Sequence, residues 1–270
     1  MKNTPFIAVT SQPVPYHADT TAIFNTLCQQ NSNSLLLDSA EIGSKNSLQS
    51  LILINAAVKI TCLGNQVTFR ALNANGKQVL NEIHPVLSQL GTVNAVNFEN
   101  EFSVQFAPLD NQLDEDSKLQ AATIFDGLRV ISNHYQHSST PVFLGGLFAY
   151  DLVANFIPMQ GVELKDDGIN CPDYSFYLAE NLITIDHQSQ QATLKSFCFS
   201  QEEQVEVAKT ALFIAQKLKN IDGVFSIKAA SDEVSTNFED PEFIGIVKAL
   251  KHHINCLLYT SPSPRDKRQS

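Results

Sequence analysis

The fold of this chain is restricted most by a run of branched aliphatic residues over residues 51–72. Three segments of the run have the composition of β-strands: residues 51–54, 58–63 and 67–72. Gly64 and Asn65, and the Asn-Ala-Asn-Gly sequence at residues 73–76, supply the backbone freedom that chain reversals require. We therefore predict a β-meander in this part of the chain.

Helical periodicity appears on both sides of this run. Apolar residues recur at helical spacing after Asp19 or Thr20 and across three later segments: residues 119–131, 201–218 and 240–255. The acidic residues at 114–116 suit a helix amino terminus, and we interpret them as capping and not as a metal site. Asp240 and Pro241 occupy the cap and first-turn positions of the last helix.

Three further strand patterns complete the prediction of the fold. Residues 35–37 form a short apolar run, and residues 143–152 alternate glycine with aromatic and aliphatic residues, as expected where another backbone approaches closely. Residues 181–185 and 192–199 flank a polar turn at 187–190 and predict a hairpin. Strands interrupted by helices, without regular βαβα alternation, indicate an α+β fold with antiparallel sheets and flanking helices.

The composition shifts near residue 235 and again near residue 256. Residues 231–239 are polar and acidic, and residues 256–270 are basic, interrupted by proline and without periodicity. We predict an amino-terminal domain over residues 1–235, the start of a second domain over 236–255, and a tail over 256–270 that is foreign or disordered.

Charge and hydropathy exclude two classes of partner. The net charge of −10 disfavours a nucleic-acid backbone or an anionic membrane, because both would repel the chain. No apolar run approaches the roughly 20 residues of a membrane span, and prolines interrupt the first 19 residues, so we expect no signal peptide and a cytoplasmic location. Five widely spaced cysteines without a CxxC pair indicate reduced thiols.

Other candidate sites have simpler interpretations. His134 and His137 could share a metal, but a zinc site needs further ligands, and we predict no metal site there. Adjacent helical residues point about 100° apart, which disfavours His252 and His253 as a ligand pair. Gly145 and Gly146 lack the spacing of a phosphate loop, and no nucleophile-elbow pattern GxSxG occurs. We predict no catalytic residue in this chain.

Three motifs resemble a known family when they are taken together. They are LLLDSAEI at residues 35–42, FLGGLFAYDL at 143–152, and CPD at 171–173 followed by FYLAE at 176–180. In this order and at these separations they resemble anthranilate synthase component I of the bacterial type. Shorter pieces at residues 113–116 and 185–187 are also similar, so that the resemblance covers residues 1 to about 255.

The resemblance implies an enzyme of tryptophan biosynthesis. Such proteins convert chorismate, with ammonia from a glutamine amidotransferase subunit and with magnesium, to anthranilate and pyruvate, and tryptophan inhibits them. The family places its chorismate and magnesium residues in a carboxyl-terminal domain that would begin near Asp240 here. We therefore expect this chain to be inactive alone and to have no magnesium ligands.

The tail carries a resemblance of a different kind. Residues 256–266, CLLYTSPSPRD, look like the conceptual translation of a transposase-type sequencing adapter. We interpret the tail as the product of a gene truncated by an assembly artefact, with the last authentic residue near Asn255. A natural flexible tail is the alternative that composition allows.

The resemblance also implies an inhibitor site. Ser39 matches the family's feedback serine, and Asp38 stands where the family usually has a glutamate. A hydroxyl and a carboxylate at a strand end could orient a free amino acid, and Leu37 could contact the indole ring. Gln49 falls at another position that the family associates with inhibitor sensitivity. A capping role for Ser39 is the alternative interpretation, and we expect weak or undetectable tryptophan binding to this chain.

Two alternatives to an anthranilate synthase fragment remain. The first is a standalone amino-acid-sensing or interaction module, which the apolar face of the helix at 240–255 argues against, since such a face usually needs a partner. The second is a fragment of aminodeoxychorismate synthase component I. The Leu-Leu-Leu-Asp-Ser-Ala sequence at residues 35–40 favours anthranilate synthase.

Overall fold

A computed structural model describes the chain over residues 5–29, 31–38, 48–97, 100–108, 114–156, 171–221 and 236–260. The chain divides into two compact units, Met1–Val224 and Phe225–Ser270. The first unit contains the sheet and the candidate site. The described part of the second unit is one helix.

The described residues of the first unit form nine strands, five α-helices and a short 3-10 helix. The strands are β1 Ala8–Val14, β2 Leu35–Asp38, β3 Gln49–Leu63, β4 Gln66–Ala71, β5 Thr92–Asn97, β6 Glu101–Gln105, β7 Leu144–Phe148, β8 Tyr174–Asp186 and β9 Gln191–Cys198. The helices are α1 Thr20–Cys28, α2 Ala74–Leu87, α3 Glu115–Gln120, α4 Asp126–His134 and α5 Gln204–Lys219, with the 3-10 helix at Tyr150–Asn155. The predicted α+β class is confirmed.

All nine strands belong to one antiparallel sheet of order β1-β9-β8-β3-β4-β6-β5. The two longest strands, β3 and β8, pair along almost their whole length at its centre. Shorter strands complete the sheet beside them, because β2 pairs with β3 and β7 pairs with β8. The sheet therefore brings the ends of β2, β3 and β8 together.

Two apolar cores lie on opposite faces of the central strands. Leu53 and Leu182 belong to the core that also contains residues of α2 and α4. Ile52 and Ile183 face the other way, into the core that contains residues of α1 and α5. This alternation follows from the two-residue period of a strand, and it places Ser50 on the α1 face with Ile52.

The predicted meander is partly wrong. Residues 51–54 and 58–63 are not separate strands, because β3 runs continuously through both, with register irregularities between Leu53 and Val58. Gly64 does form a turn with a φ of +57°, as predicted, and the chain returns in β4. The bulge lets one long strand change its twist without ending.

The predicted reversal at residues 73–76 is a helix start instead. Asn73 caps α2, and its side-chain oxygen accepts a hydrogen bond from the Gly76 amide at 2.8 Å. A Cβ atom at Gly76 would lie 1.9 Å from the Ala57 carbonyl oxygen, so glycine lets α2 pack against β3. Asparagine favours both turns and helix caps, and composition alone did not distinguish them.

The helix predicted over residues 119–131 is two helices. The α3 helix ends at Gln120, and α4 begins at Asp126. Between them, the Asp126 carboxylate accepts a hydrogen bond from the Thr123 amide at 2.7 Å, which closes a local turn. The predicted capping role of the acidic run is confirmed, because the Asp114 carboxylate accepts a hydrogen bond from the Ser117 amide at 2.7 Å.

Asp173 of the CPD motif holds the β3–β4 turn. Its Oδ2 accepts hydrogen bonds from the Gly64 amide at 2.6 Å and from the Asn155 side chain at 2.9 Å. The Asp173 amide donates to the Cys62 carbonyl at 2.7 Å, and burial raises the pKa of the Cys62 thiol to about 12. The motif therefore has a structural role, and Cys62 is an unreactive thiol.

The predicted hairpin and the last two predicted helices are present. The β8–β9 hairpin turns at residues 187–190, and α5 follows it. The sixth helix, α6, spans Asp240–Thr260, so it continues past the predicted end at residue 255. Within the described ranges, no helix has the length and apolar character needed to cross a membrane.

Candidate functional site

The end of β2 carries the described part of the predicted inhibitor site. Asp38 is the last residue of β2 and pairs with Ser50, while Leu37 pairs with Leu51. Asp38 is exposed, and Leu37 is 39% exposed. Ser39, the residue that the family resemblance favoured most, lies outside the described residues.

Both oxygens of the Asp38 carboxylate accept hydrogen bonds from hydroxyl groups. The Ser50 hydroxyl donates to Oδ1 at 2.5 Å, and the Thr20 hydroxyl donates to Oδ2 at 3.2 Å. Thr20 is the first residue of α1. Asp19 caps the amino terminus of this helix, because its side chain accepts a hydrogen bond from the Ala22 amide at 2.9 Å. The helix start and the β3 strand together therefore fix the orientation of Asp38.

The hydrogen-bonded chain continues from Ser50 to His187. Ser50 Oγ lies 2.8 Å from His187 Nε2, and the Tyr16 hydroxyl lies 3.2 Å from His187 Nδ1. The Tyr16 and His187 rings also meet edge to face, with centroids 5.9 Å apart. The His187 amide donates to the Leu48 carbonyl at 2.9 Å, which anchors the start of the β8–β9 turn to β3.

The predicted site residues divide between the two faces of the sheet. Strand alternation places Asp38 and Ser50 on the face of α1, and Leu37 and Gln49 on the opposite face. Gln49 is exposed at the start of β3 and pairs across the sheet with Asp186. A ligand would contact all three of the described predicted residues only at the strand ends, because their side chains lie on opposite faces of the sheet.

Sequence reasoning missed Ser50, His187 and Tyr16 as site residues. Ser50 is fully buried, although it stands in a strand whose buried neighbours are apolar. A single polar residue at a buried strand position is a signal, because it needs a hydrogen-bond partner. The identity of that partner, 137 residues further along the chain, depends on the register of β3 against β8.

A second polar cluster lies inside the sheet around Glu180, which is 6% exposed. Its Oε2 accepts hydrogen bonds from the side chains of Asn73 at 2.9 Å and Asn75 at 2.8 Å. Burial raises the pKa of Glu180 above its ordinary value, and the two asparagine bonds oppose that rise. Asn75 also binds the backbone of Phe197 and Phe199, so the cluster ties α2 to the end of β9.

Glu180 is expected to make the stability of the fold depend on pH. Its raised folded-state pKa means that its contribution is fully present below the ordinary pKa and is lost as the pH rises through the folded-state value. As the pH rises from 4 to 7, the free energy of unfolding of Glu180→Gln should therefore fall less than that of the parent. The difference should be about 1.4 kcal/mol for each pH unit between the ordinary and the folded-state pKa of Glu180. Urea unfolding across this range tests it.

The exposed Glu206→Gln variant is the matched control, since it removes a carboxylate that pairs with Lys209 at the surface of α5. Parallel pH profiles for the parent and Glu180→Gln would contradict the assignment of a pH-dependent cost to Glu180.

His134 pairs with a carboxylate. Its Nε2 lies 2.9 Å from Glu82 Oε2, and the Tyr135 hydroxyl donates to the same oxygen at 2.9 Å. Burial, together with the charge of Glu82, raises the pKa of Tyr135, which keeps this hydroxyl protonated as a donor. Across the described ranges, no three His, Cys, Asp or Glu side chains converge in a way that could hold a metal ion.

Comparison with known proteins identifies the class. A sequence profile for chorismate binding enzymes matches residues 81–256, more than half of the chain. The chain belongs to this family of chorismate binding enzymes.

Within this class the chain is similar to anthranilate synthase component 1. It is 85% identical over 250 residues to that protein of Haemophilus influenzae, a match that covers 93% of this chain and 48% of the relative. The Vibrio cholerae protein is 40% identical over 264 residues, covering 94% of this chain and 49% of the relative. The Escherichia coli protein is 34% identical over 245 residues, covering 88% and 46%. The chain spans about half the length of the curated relatives it matches.

Proposed function

We propose that the chain is the amino-terminal part of an anthranilate synthase component 1. The complete protein would convert chorismate and ammonia to anthranilate and pyruvate in the cytoplasm, with ammonia supplied by a glutamine amidotransferase subunit. The observation that carries this proposal is the 85% identity to the Haemophilus influenzae protein over 93% of the chain. The Vibrio cholerae and Escherichia coli relatives are also anthranilate synthase component 1.

The complete protein would use magnesium, and its ligands are expected in the half of the family's proteins that this chain does not span. The described residues offer no cluster of three carboxylate, imidazole or thiol groups that could hold the ion. This part of the protein would instead supply the sheet and the inhibitor site.

A chimera tests the proposed activity. Residues 1–255 of this chain are joined to the carboxyl-terminal half of the Haemophilus influenzae protein, and anthranilate fluorescence is followed with chorismate, ammonia and magnesium. We expect a rate comparable to that of the Haemophilus influenzae protein, because 85% of the aligned residues are identical. The 270-residue chain alone is expected to give no turnover. A folded chimera that makes no anthranilate, beside an active parent, would overturn the proposal.

The feedback site is the second part of the proposal. The Asp38 carboxylate would accept hydrogen bonds from the ammonium group of L-tryptophan. The Ser39 hydroxyl would bind polar atoms of the same ligand, and Leu37 would contact its indole ring. Three features support this role for Asp38: it is exposed, it lies at a strand end, and both oxygens are already oriented by hydroxyl groups. Gln49 is proposed at the edge of the same site. Titration calorimetry showing an unchanged tryptophan affinity in Ser39→Ala would remove Ser39 from it.

A further inference from the structure

The hydrogen bonds around Ser50 have a definite direction. An ionised carboxylate only accepts hydrogen bonds, so the one Ser50 proton must go to Asp38 Oδ1, at 2.5 Å. Ser50 Oγ then accepts from His187 Nε2, at 2.8 Å, which requires a proton on that nitrogen. In a neutral imidazole the other nitrogen, Nδ1, is then an acceptor, and it accepts a hydrogen bond from the Tyr16 hydroxyl at 3.2 Å.

This direction excludes nucleophilic catalysis by Ser50. A catalytic serine must give its proton to the histidine, and the carboxylate must contact the far nitrogen of that histidine. Here the serine lies between the carboxylate and the imidazole, and its hydroxyl donates its hydrogen bond to the carboxylate. Ser50 is also fully buried, so no substrate reaches its oxygen.

We propose that Ser50, His187 and Tyr16 are positioning residues for the Asp38 carboxylate in the amino-acid site, a role that rests on the feedback function proposed above. Ser50 and Thr20 each occupy one oxygen of Asp38 and so fix the plane of the carboxylate. A carboxylate has about four lone-pair positions, which leaves about two for a ligand. Asp38 is exposed, so the remaining positions are available to the ammonium group of an amino acid.

The order of these hydrogen bonds gives each substitution a distinct effect on the Asp38 carboxylate. Ser50→Ala removes both the donor to Asp38 and the acceptor for His187 Nε2, whereas Ser50→Thr keeps the hydroxyl. Tyr16→Phe removes only the donor to His187 Nδ1 and leaves the bond from Ser50 to Asp38. The expected order of effects on the Asp38 carboxylate is therefore Ser50→Ala first, Tyr16→Phe second and Ser50→Thr last.

Nuclear magnetic resonance of the complete 270-residue chain tests this proposal. Long-range proton–nitrogen spectra at alkaline pH report which nitrogen of His187 carries the proton. The tryptophan concentration that halves anthranilate formation by the chimera of residues 1–255 reports the ligand, because the chain alone is expected to bind tryptophan weakly or undetectably. Thr184→Val is the matched control, because it removes a hydroxyl hydrogen bond of β8 outside this chain of bonds.

We expect His187 to be protonated at Nε2 in the parent, in Ser50→Thr and in Thr184→Val. Ser50→Ala should populate the Nδ1–H form and require about fivefold more tryptophan for the same inhibition of the chimera, as the loss of one hydrogen bond of about 1 kcal/mol implies. Ser50→Thr should keep both readouts at the parent values, because it retains the hydroxyl group.

Three results would overturn the proposal in different ways. Protonation of His187 at Nδ1 in the parent would reverse the inferred direction. An unchanged tryptophan midpoint in Ser50→Ala, with the tautomer altered, would reduce Ser50 to a structural residue. An Nε2–H tautomer in the parent, together with a chimera that tryptophan does not inhibit, would instead remove the amino-acid site itself, and with it the feedback function proposed for Asp38.

Discussion

Replacing Gly146 by alanine is expected to destabilise the fold by at least about 3 kcal/mol, at the upper end of typical overpacking costs. A Cβ atom at this position would lie 2.1 Å from the Ser175 carbonyl oxygen and 2.6 Å from the Phe176 Cα atom. Both are backbone atoms of β8, which pairs with β7 at this point, so neither can move without breaking the ladder. Because a domain of this kind is stable by only about 5–15 kcal/mol, the melting temperature should fall sharply.

Gly245→Ala is the matched control for this substitution. Gly245 lies in α6, and a Cβ atom there would meet nothing within 4 Å. Alanine should therefore stabilise that helix by roughly 0.5–1 kcal/mol and leave the sheet unaffected. Thermal unfolding followed by circular dichroism gives both values. A Gly146→Ala protein that melts with the parent would contradict the close approach of β7 and β8.

Asp38→Asn is expected to weaken tryptophan inhibition of the chimera about 10- to 150-fold, the range that corresponds to losing a charge-assisted bond of about 1.5–3 kcal/mol. Asparagine has nearly the shape of aspartate but no negative charge for the ligand ammonium group. Its amide group would also face the Ser50 or Thr20 hydroxyl that now donates to the carboxylate. The measurement is the tryptophan concentration that halves each variant's own uninhibited rate.

Glu101→Gln serves as the control for the loss of a carboxylate. Glu101 pairs with Arg70 at the exposed surface of β6 and β4, on strands that are not part of the candidate site. Its inhibition curve should superimpose on that of the unmodified chimera. Equal inhibition of Asp38→Asn and the unmodified chimera would remove Asp38 from the inhibitor site.

The sequence predicted the fold class because its signals are local. Branched runs gave the central strands, the polar turn at residues 187–190 gave the β8–β9 hairpin, and Asp19 marked the start of α1. The strands β1, β5 and β6 and the helix α2 were not predicted. The α2 segment begins with residues that also favour turns and contains Pro85, so its local preference is opposed by its packing against β3 and β4.

The candidate site was predicted only in part, for a physical reason. Asp38 could be predicted as a site residue from a motif of adjacent residues, but the residues that surround it could not. Ser50 and His187 meet Asp38 because β2, β3 and β8 pair in one register, and a shift of one residue would turn Ser50 to the other face. That register is set by side-chain packing on both faces of β3, which sequence periodicity does not specify.

The most direct test is the rate of anthranilate formation by the chimera as a function of L-tryptophan concentration. If this chain is the amino-terminal part of an anthranilate synthase component 1 with the inhibitor site at the end of β2, the chimera produces anthranilate and tryptophan suppresses that rate to near zero. A folded chimera that forms no anthranilate, or one whose rate tryptophan leaves unchanged, would contradict it.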